Sequence, residues 1–254
     1  MENAAICITA GEQSENHVGM KINGSGLASC GFSTEDLLTY KQTLKERGIE
    51  SEYYRLDETL VGKVVEPAAL LIIRNGVQSL TTHDPTEMFM EQTSFEWDNK
   101  FWDNRRAKVL NKQARYNVCY GETHQEADYE NKKGTIVAYD DVPILQKWRD
   151  SLEIVFGDKA ERLEVEGNLY YDTKKCGIGF HGDSERKKVI ACSLGASRPI
   201  HWQWYERSKP IGERIQFTLN NGDMYIMSEK TTGFDWKKRI IATLRHAAGE
   251  KYVR

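Results

Sequence analysis

The chain has 254 residues, 39% of them hydrophobic and 29% charged, with a formal net charge of −3. That balance suits one large globular domain, or one domain with a sizeable extension, and excludes a disordered chain. No apolar run approaches bilayer length, the N-terminus lacks a secretory pattern, and five cysteines with no Cys-x-x-Cys spacing argue against a disulfide framework or structural zinc, so a soluble intracellular protein is expected.

The first thirty residues are rich in Gly, Ser and Asn and show no sustained period. Ser33 and Thr34 then cap a predicted helix with Glu35 and Asp36 in its first turn, Leu37, Leu38 and Leu44 on one side, and Gly48 as terminator. Ala68 to Ile73 reads as a buried strand closed by a tight turn at Asn75-Gly76. Residues 1–95 are therefore expected to form an α/β extension without a catalytic constellation, His17 and His83 having surface or packing roles. From Thr93 the composition turns aromatic and basic, through Phe95, Trp97, Phe101, Trp102, Arg105 and Arg106. Rings interleaved with cations are what stacking on bases and meeting phosphates requires, and an amphipathic edge strand is the plainer reading of 109–120. Pro143 opens a second helix, whose apolar residues recur from Ile144 to Phe156 and end at Gly157. Short strands dominate the remainder: Val189–Leu194, Ile200–Trp204, and two strands flanking a hairpin signal at Asn220-Asn221-Gly222-Asp223. One helix followed by many strands predicts an antiparallel barrel or sandwich with the helix on an outer face.

The chemistry concentrates at His181-Gly182-Asp183. Residues i and i+2 of an extended backbone share a face, so an imidazole and a carboxylate can grip one metal ion. A second histidine from a distant strand would complete a two-His-one-carboxylate triad, which leaves positions open on a non-haem iron. Two histidines follow, His201 and His246, and the residues by themselves do not choose between them.

From the Pro143 helix onward the chain resembles the AlkB family of iron(II)/2-oxoglutarate dioxygenases. The features that carry the resemblance are that helix, Asn168-x-Tyr170, His181-x-Asp183, Ser193-Leu194-Gly195, Gly222-Asp223 and a late histidine, in this order. The resemblance covers roughly residues 108–254. It implies an α+β chain: a double-stranded β-helix (jelly-roll) core over residues 96–254, including a substrate-side segment 105–133, beside a flanking helix and the N-terminal extension. It selects His246, 65 residues after His181, over His201, which follows by only 20. By the same likeness His181, Asp183 and His246 bind Fe(II), and Asn168 and Tyr170 hydrogen-bond 2-oxoglutarate. Glu185, Arg115 and Tyr116 then face a substrate base. The family anchors the far carboxylate of 2-oxoglutarate with an arginine on the strand after the distal histidine; the sole arginine after His246 is Arg254, and it takes that role by position. Arg239 and Arg245 show the six-residue spacing of the family's arginine pair but precede His246. The implied activity is O2-dependent oxidation of N-methyl bases in DNA or RNA, single-stranded or flipped, with release of formaldehyde. Hydroxylation of a base methyl group, a protein side chain or a small molecule is the alternative, followed by a non-enzymatic binding module.

Overall fold

A computed structural model describes residues 3–253. In chain order the elements are β1 (Ala5–Gly11), β2 (Ser14–Glu15), β3 (Ile22–Asn23), α1 (Thr34–Glu46), β4 (Ser51–Arg55), β5 (Ala69–Ile73), α2 (Gly76–Thr81), α3 (Pro85–Gln92), β6 (Lys100–Asp103), β7 (Lys108–Asn111), β8 (Tyr116–Gly121) and β9 (Ile136–Ala138). They continue with α4 (Pro143–Phe156), β10 (Glu164–Tyr170), β11 (Ile178–His181), β12 (Val189–Gly195), β13 (Arg198–Glu206), β14 (Lys209–Leu219), β15 (Met224–Met227), α5 (Glu229–Thr232) and β16 (Thr243–Ala248). The architecture is mixed α+β and dominated by β-sheet.

Two sheets face each other. The larger has eight strands in the order β4-β5-β15-β12-β1-β10-β8-β9, the smaller four in the order β11-β16-β13-β14. Trp202, Trp204 and Leu244 of the smaller sheet pack with Cys7, Leu70, Ala191 and Tyr225 of the larger in one core between them. The other face of the larger sheet presents Ile6, Ile8, Val165, Ile190 and Ile226 to α1 and α4 through Leu37, Leu44, Trp148 and Leu152. Burying one large aliphatic or aromatic side chain is worth about 2–3 kcal/mol, so these two interfaces hold the fold.

Both predicted helices form. Ser33 caps α1 by accepting from the Asp36 N–H, while Asp36 accepts the Ser33 N–H, which closes a capping box. Pro143 starts α4 and Gly157, at φ 74°, ends it. Among the described residues no helix is long and apolar enough to cross a membrane.

The tight turn expected after β5 forms, and Asn75, at φ 49°, leads from it into helix α2. The hairpin expected at Asn220–Asp223 is corrected. The Asn220–Asp223 turn joins strands of different sheets, because β14 pairs with β13 whereas β15 pairs with β12 and β5. Asp223 braces that corner by accepting hydrogen bonds from Arg74 and from the Asn75 and Asn220 N–H groups. Strands from both sides of residue 95 share the larger sheet: β1 lies between β10 and β12, and β5 lies against β15.

Candidate metal centre

The predicted triad converges. β11 runs antiparallel to β16 with His181 directly opposite His246, so their rings lie 4.4 Å apart between centroids. Asp183 lies two residues beyond the end of β11, and its N–H donates to the Thr232 carbonyl. The residue between must be small: a Cβ on Gly182 would strike the Gly233 carbonyl oxygen and come within 2.8 Å of the Trp236 Cβ. Asp183 Oδ1 lies 3.7 Å from His181 Nε2 and 3.5 Å from His246 Nε2, and one ligand atom of each residue falls within 4.8 Å of the others.

Protonation suits ligation. His181 Nδ1 lies 2.8 Å from the Gly179 carbonyl and donates to it, which leaves the Nε2 lone pair facing Asp183. Burial, aided by the neighbouring His246, pushes the His181 pKa down to about 3, so its imidazole is neutral. Burial opposes the Asp183 anion, but His246, Arg186 and His181 outweigh it and hold the carboxyl below its ordinary range. A neutral imidazole beside an ionised carboxylate is the donor set a divalent cation takes.

The triad lines a cavity of about 950 Å³. Behind it Arg186 is 2% exposed and pairs with Glu166 at 2.7 Å and Glu185 at 2.9 Å, its Nε lying 3.9 Å from Asp183. Glycine at the end of β1 makes room for that side chain, since a Cβ on Gly11 would approach Arg186 Cδ to 3.1 Å and the Lys188 carbonyl to 2.6 Å. On the neighbouring wall Asn168 Oδ1 accepts from Arg115 Nε and Asn117 Nδ2, each at 2.7 Å. The Tyr170 ring lies under the Arg198 guanidinium, 4.4 Å from ring centre to Cζ.

No family model matches the chain. Over 253 residues it is 44% identical to the uncharacterized protein R156 of Acanthamoeba polyphaga mimivirus, an alignment covering 98% of this chain and 97% of that one. The chain belongs to the family of that mimivirus protein. The match extends over almost the whole of both chains.

Of the other residues singled out from sequence, Asn168, Tyr170, Arg115 and Glu185 line the cavity with the triad. Tyr116 does not. Its neighbour Asn117 faces the cavity, so alternation along β8 turns Tyr116 to the helix-covered side, where it packs against Tyr171 at 4.8 Å between ring centres. His201 alternates with the inward-facing Ile200 and Trp202 and is thereby turned away from the triad. Arg254 lies outside the described residues. His17, expected in a surface or packing role, stacks on Phe101 at 3.7 Å and forms part of the cavity wall.

Sequence reasoning missed Arg198. It is 5% exposed, lines the cavity, has no hydrogen-bond partner for Nε, and pairs with no carboxylate among the described residues. The signal was available: Arg198 is the one charged residue entering the apolar strand Arg-Pro-Ile-His-Trp.

Proposed function

We propose that this chain is an iron(II)/2-oxoglutarate-dependent dioxygenase of the AlkB type, oxidising N-methyl groups of nucleic-acid bases with release of formaldehyde. The observation that carries the reading is the meeting of His181, Asp183 and His246 at the wall of a cavity with an unpaired buried arginine. His181, Asp183 and His246 would hold the ion, and this donor set leaves positions open for cosubstrate and O2. Bound there, ferrous iron would supply the redox chemistry that O2 activation needs.

The chain's own residues would do the rest. Arg198 fits the far carboxylate of 2-oxoglutarate: a buried guanidinium without a counter-charge is costly, and an entering carboxylate relieves that cost. It takes the role expected of Arg254 by position, and β16 has no successor strand among the described residues. Tyr170 holds the Arg198 plane by its ring, while Arg115 and Asn117 fix the Asn168 amide. Glu185 stands at the wall where a substrate base would enter, unstacked from its neighbours.

Strand order supports reading the two sheets as a double-stranded β-helix. From β10 to β16 the chain passes between larger and smaller sheets as large, small, large, small, small, large, small. The place in the larger sheet that would continue this winding, between β10 and β12, is taken by β1 from the other end of the chain.

The test is incubation with ferrous iron, 2-oxoglutarate and a panel of methylated oligonucleotides, peptides and metabolites. Succinate and formaldehyde released together, with oligonucleotides only, is the expected result. Succinate without formaldehyde would leave hydroxylation; stimulation by peptides or metabolites alone would remove nucleic acid; failure to bind 2-oxoglutarate would remove the whole reading.

A further inference from the structure

A second feature lies on the outer face of the smaller sheet and meets the cavity at Phe180, Trp236 and Lys237. Phe180 of β11, Tyr205 of β13 and Trp236 of the loop after α5 are half-buried, and cations rest on their rings. The Arg245 guanidinium lies 4.1 Å from the Tyr205 ring centre and 5.2 Å from a Trp236 ring centre. Arg214 lies 5.3 Å over Phe180, and Lys237 lies 5.6 Å over Trp236. Phe180 and Tyr205 are themselves 5.9 Å apart, so rings and cations form one continuous row.

What holds these cations matters. Two carboxylates of this region are engaged elsewhere, Glu206 by Lys63 and Asp235 by Lys230. Among the described residues Arg207, Arg214, Lys237, Lys238, Arg239 and Arg245 have no acidic partner, in a chain whose net charge is −3. A ring takes the flat face of a guanidinium, and Arg214 and Arg245 each also donate to a backbone carbonyl, of Val253 and Trp236, both at 3.4 Å; rings and carbonyls carry no counter-charge, so the positive charge is not neutralised. The row also ends at a defined place: Trp236 and Lys237 form part of the cavity mouth, and Trp236 Nε1 donates to the Oγ of Ser184, next to Asp183.

We propose that this row is a track for single-stranded nucleic acid, phosphates meeting the cations and unstacked bases meeting the rings, leading along the outer sheet face to the cavity mouth at Trp236. The direction of the track rests on the dioxygenase reading; its existence does not. An acidic peptide would use the cations and leave the three rings idle. A duplex keeps its bases stacked out of their reach.

Fluorescence anisotropy with a labelled thymidine homopolymer of about 12 nucleotides, titrated over a salt series, tests it. Wild type should bind with an affinity that falls steeply as salt rises. Combining Arg207→Glu, Arg214→Glu and Lys237→Glu should weaken binding at least about tenfold and flatten the log–log salt slope by about 2, at roughly 0.7 per phosphate contact on a single strand. Tyr205→Ala should weaken binding several-fold with the slope unchanged, its thermal unfolding confirming a folded protein. Lys41→Glu, Lys45→Glu and Lys147→Glu together change net charge equally on the helix-covered side and should leave affinity near wild type. Strand binding should be the same with and without added Mn(II) and 2-oxoglutarate, which separates this test from any failure of metal or cosubstrate binding. No binding at low salt, equal loss in the helix-side variant, or equally effective competition by polyglutamate would each overturn the proposal.

Discussion

The two faces of the eight-stranded sheet draw on alternate residues of the same strands and differ in what they bury. Toward the helices, β1, β8 and β10 present Ile6, Ile8, Val118, Val165 and Leu169. Toward the smaller sheet the same strands present Cys7, Thr9, Asn117, Glu166 and Asn168, all buried. The first set lowers the free energy of folding by leaving water. The second costs free energy unless its polar atoms are paired. Most are paired, to Arg115, Arg186 and one another, while Arg198 Nε and His246 Nδ1 are left without partners. On these three strands the apolar side chains face the helices, while the polar groups that a ligand would satisfy are gathered on the opposite face, beside the apolar core shared with the smaller sheet.

Substitutions on the two sides should therefore part company. The largest effect expected is from Asp183→Ala, which should lower divalent-metal affinity by more than roughly a hundredfold, since even outer partners of metal ligands are worth up to that. Calorimetric titration with Mn(II) checks this, and urea unfolding should show the fold intact. Ile8→Ala, one residue from the cavity-facing Thr9, should destabilise the protein by about 2–5 kcal/mol without touching metal affinity; an unchanged urea midpoint would erase the contrast. Arg198→Met should cost about 2 kcal/mol or more in 2-oxoglutarate binding. The same variant should leave the ligand-free protein as stable as wild type or more so, because an unpaired buried charge is removed. A clear loss of stability there would show that the arginine serves the fold.

The smallest effect concerns pH. Burial raises the Glu15 carboxyl to about 7, with Glu185 and Glu166 adding to the shift against the Gly19 N–H. A folded-state pKa above the unfolded one means the folded protein binds more protons between about 4.5 and 7. The contribution is complete below 4.5 and is lost as pH rises through 7. Relative to Glu15→Gln, the wild-type urea midpoint should fall across that window; parallel profiles would refute the assignment.

The sequence showed these features unevenly, for physical reasons. α1 and α4 were plain because each buries one stripe and carries its own start and stop residues. β1 was invisible because it is buried on both faces, so Ala5–Gly11 has no alternation to read. The phase of β8 was ambiguous, with Arg115, Tyr116 and Asn117 all able to serve a substrate, and only the register with β10 turns Tyr116 away. His181-x-Asp183 was legible as local geometry. The choice of His246 depended on family resemblance, since the pairing of β11 with β16 is a long-range property. Arg198 escaped notice because a strand-leading arginine is ordinarily exposed.

The position of β1 also orders events during synthesis. Its hydrogen-bonding partners are residues 164–170 on one side and 190–195 on the other, so an apolar segment made early stays unpaired until well over half the chain has followed. Contacts so distant along the chain make for slow assembly. A nascent polypeptide interrupted before residue 164 would expose two raw strand edges to its neighbours, which favours aggregation and makes timely chaperone shelter a condition for yield.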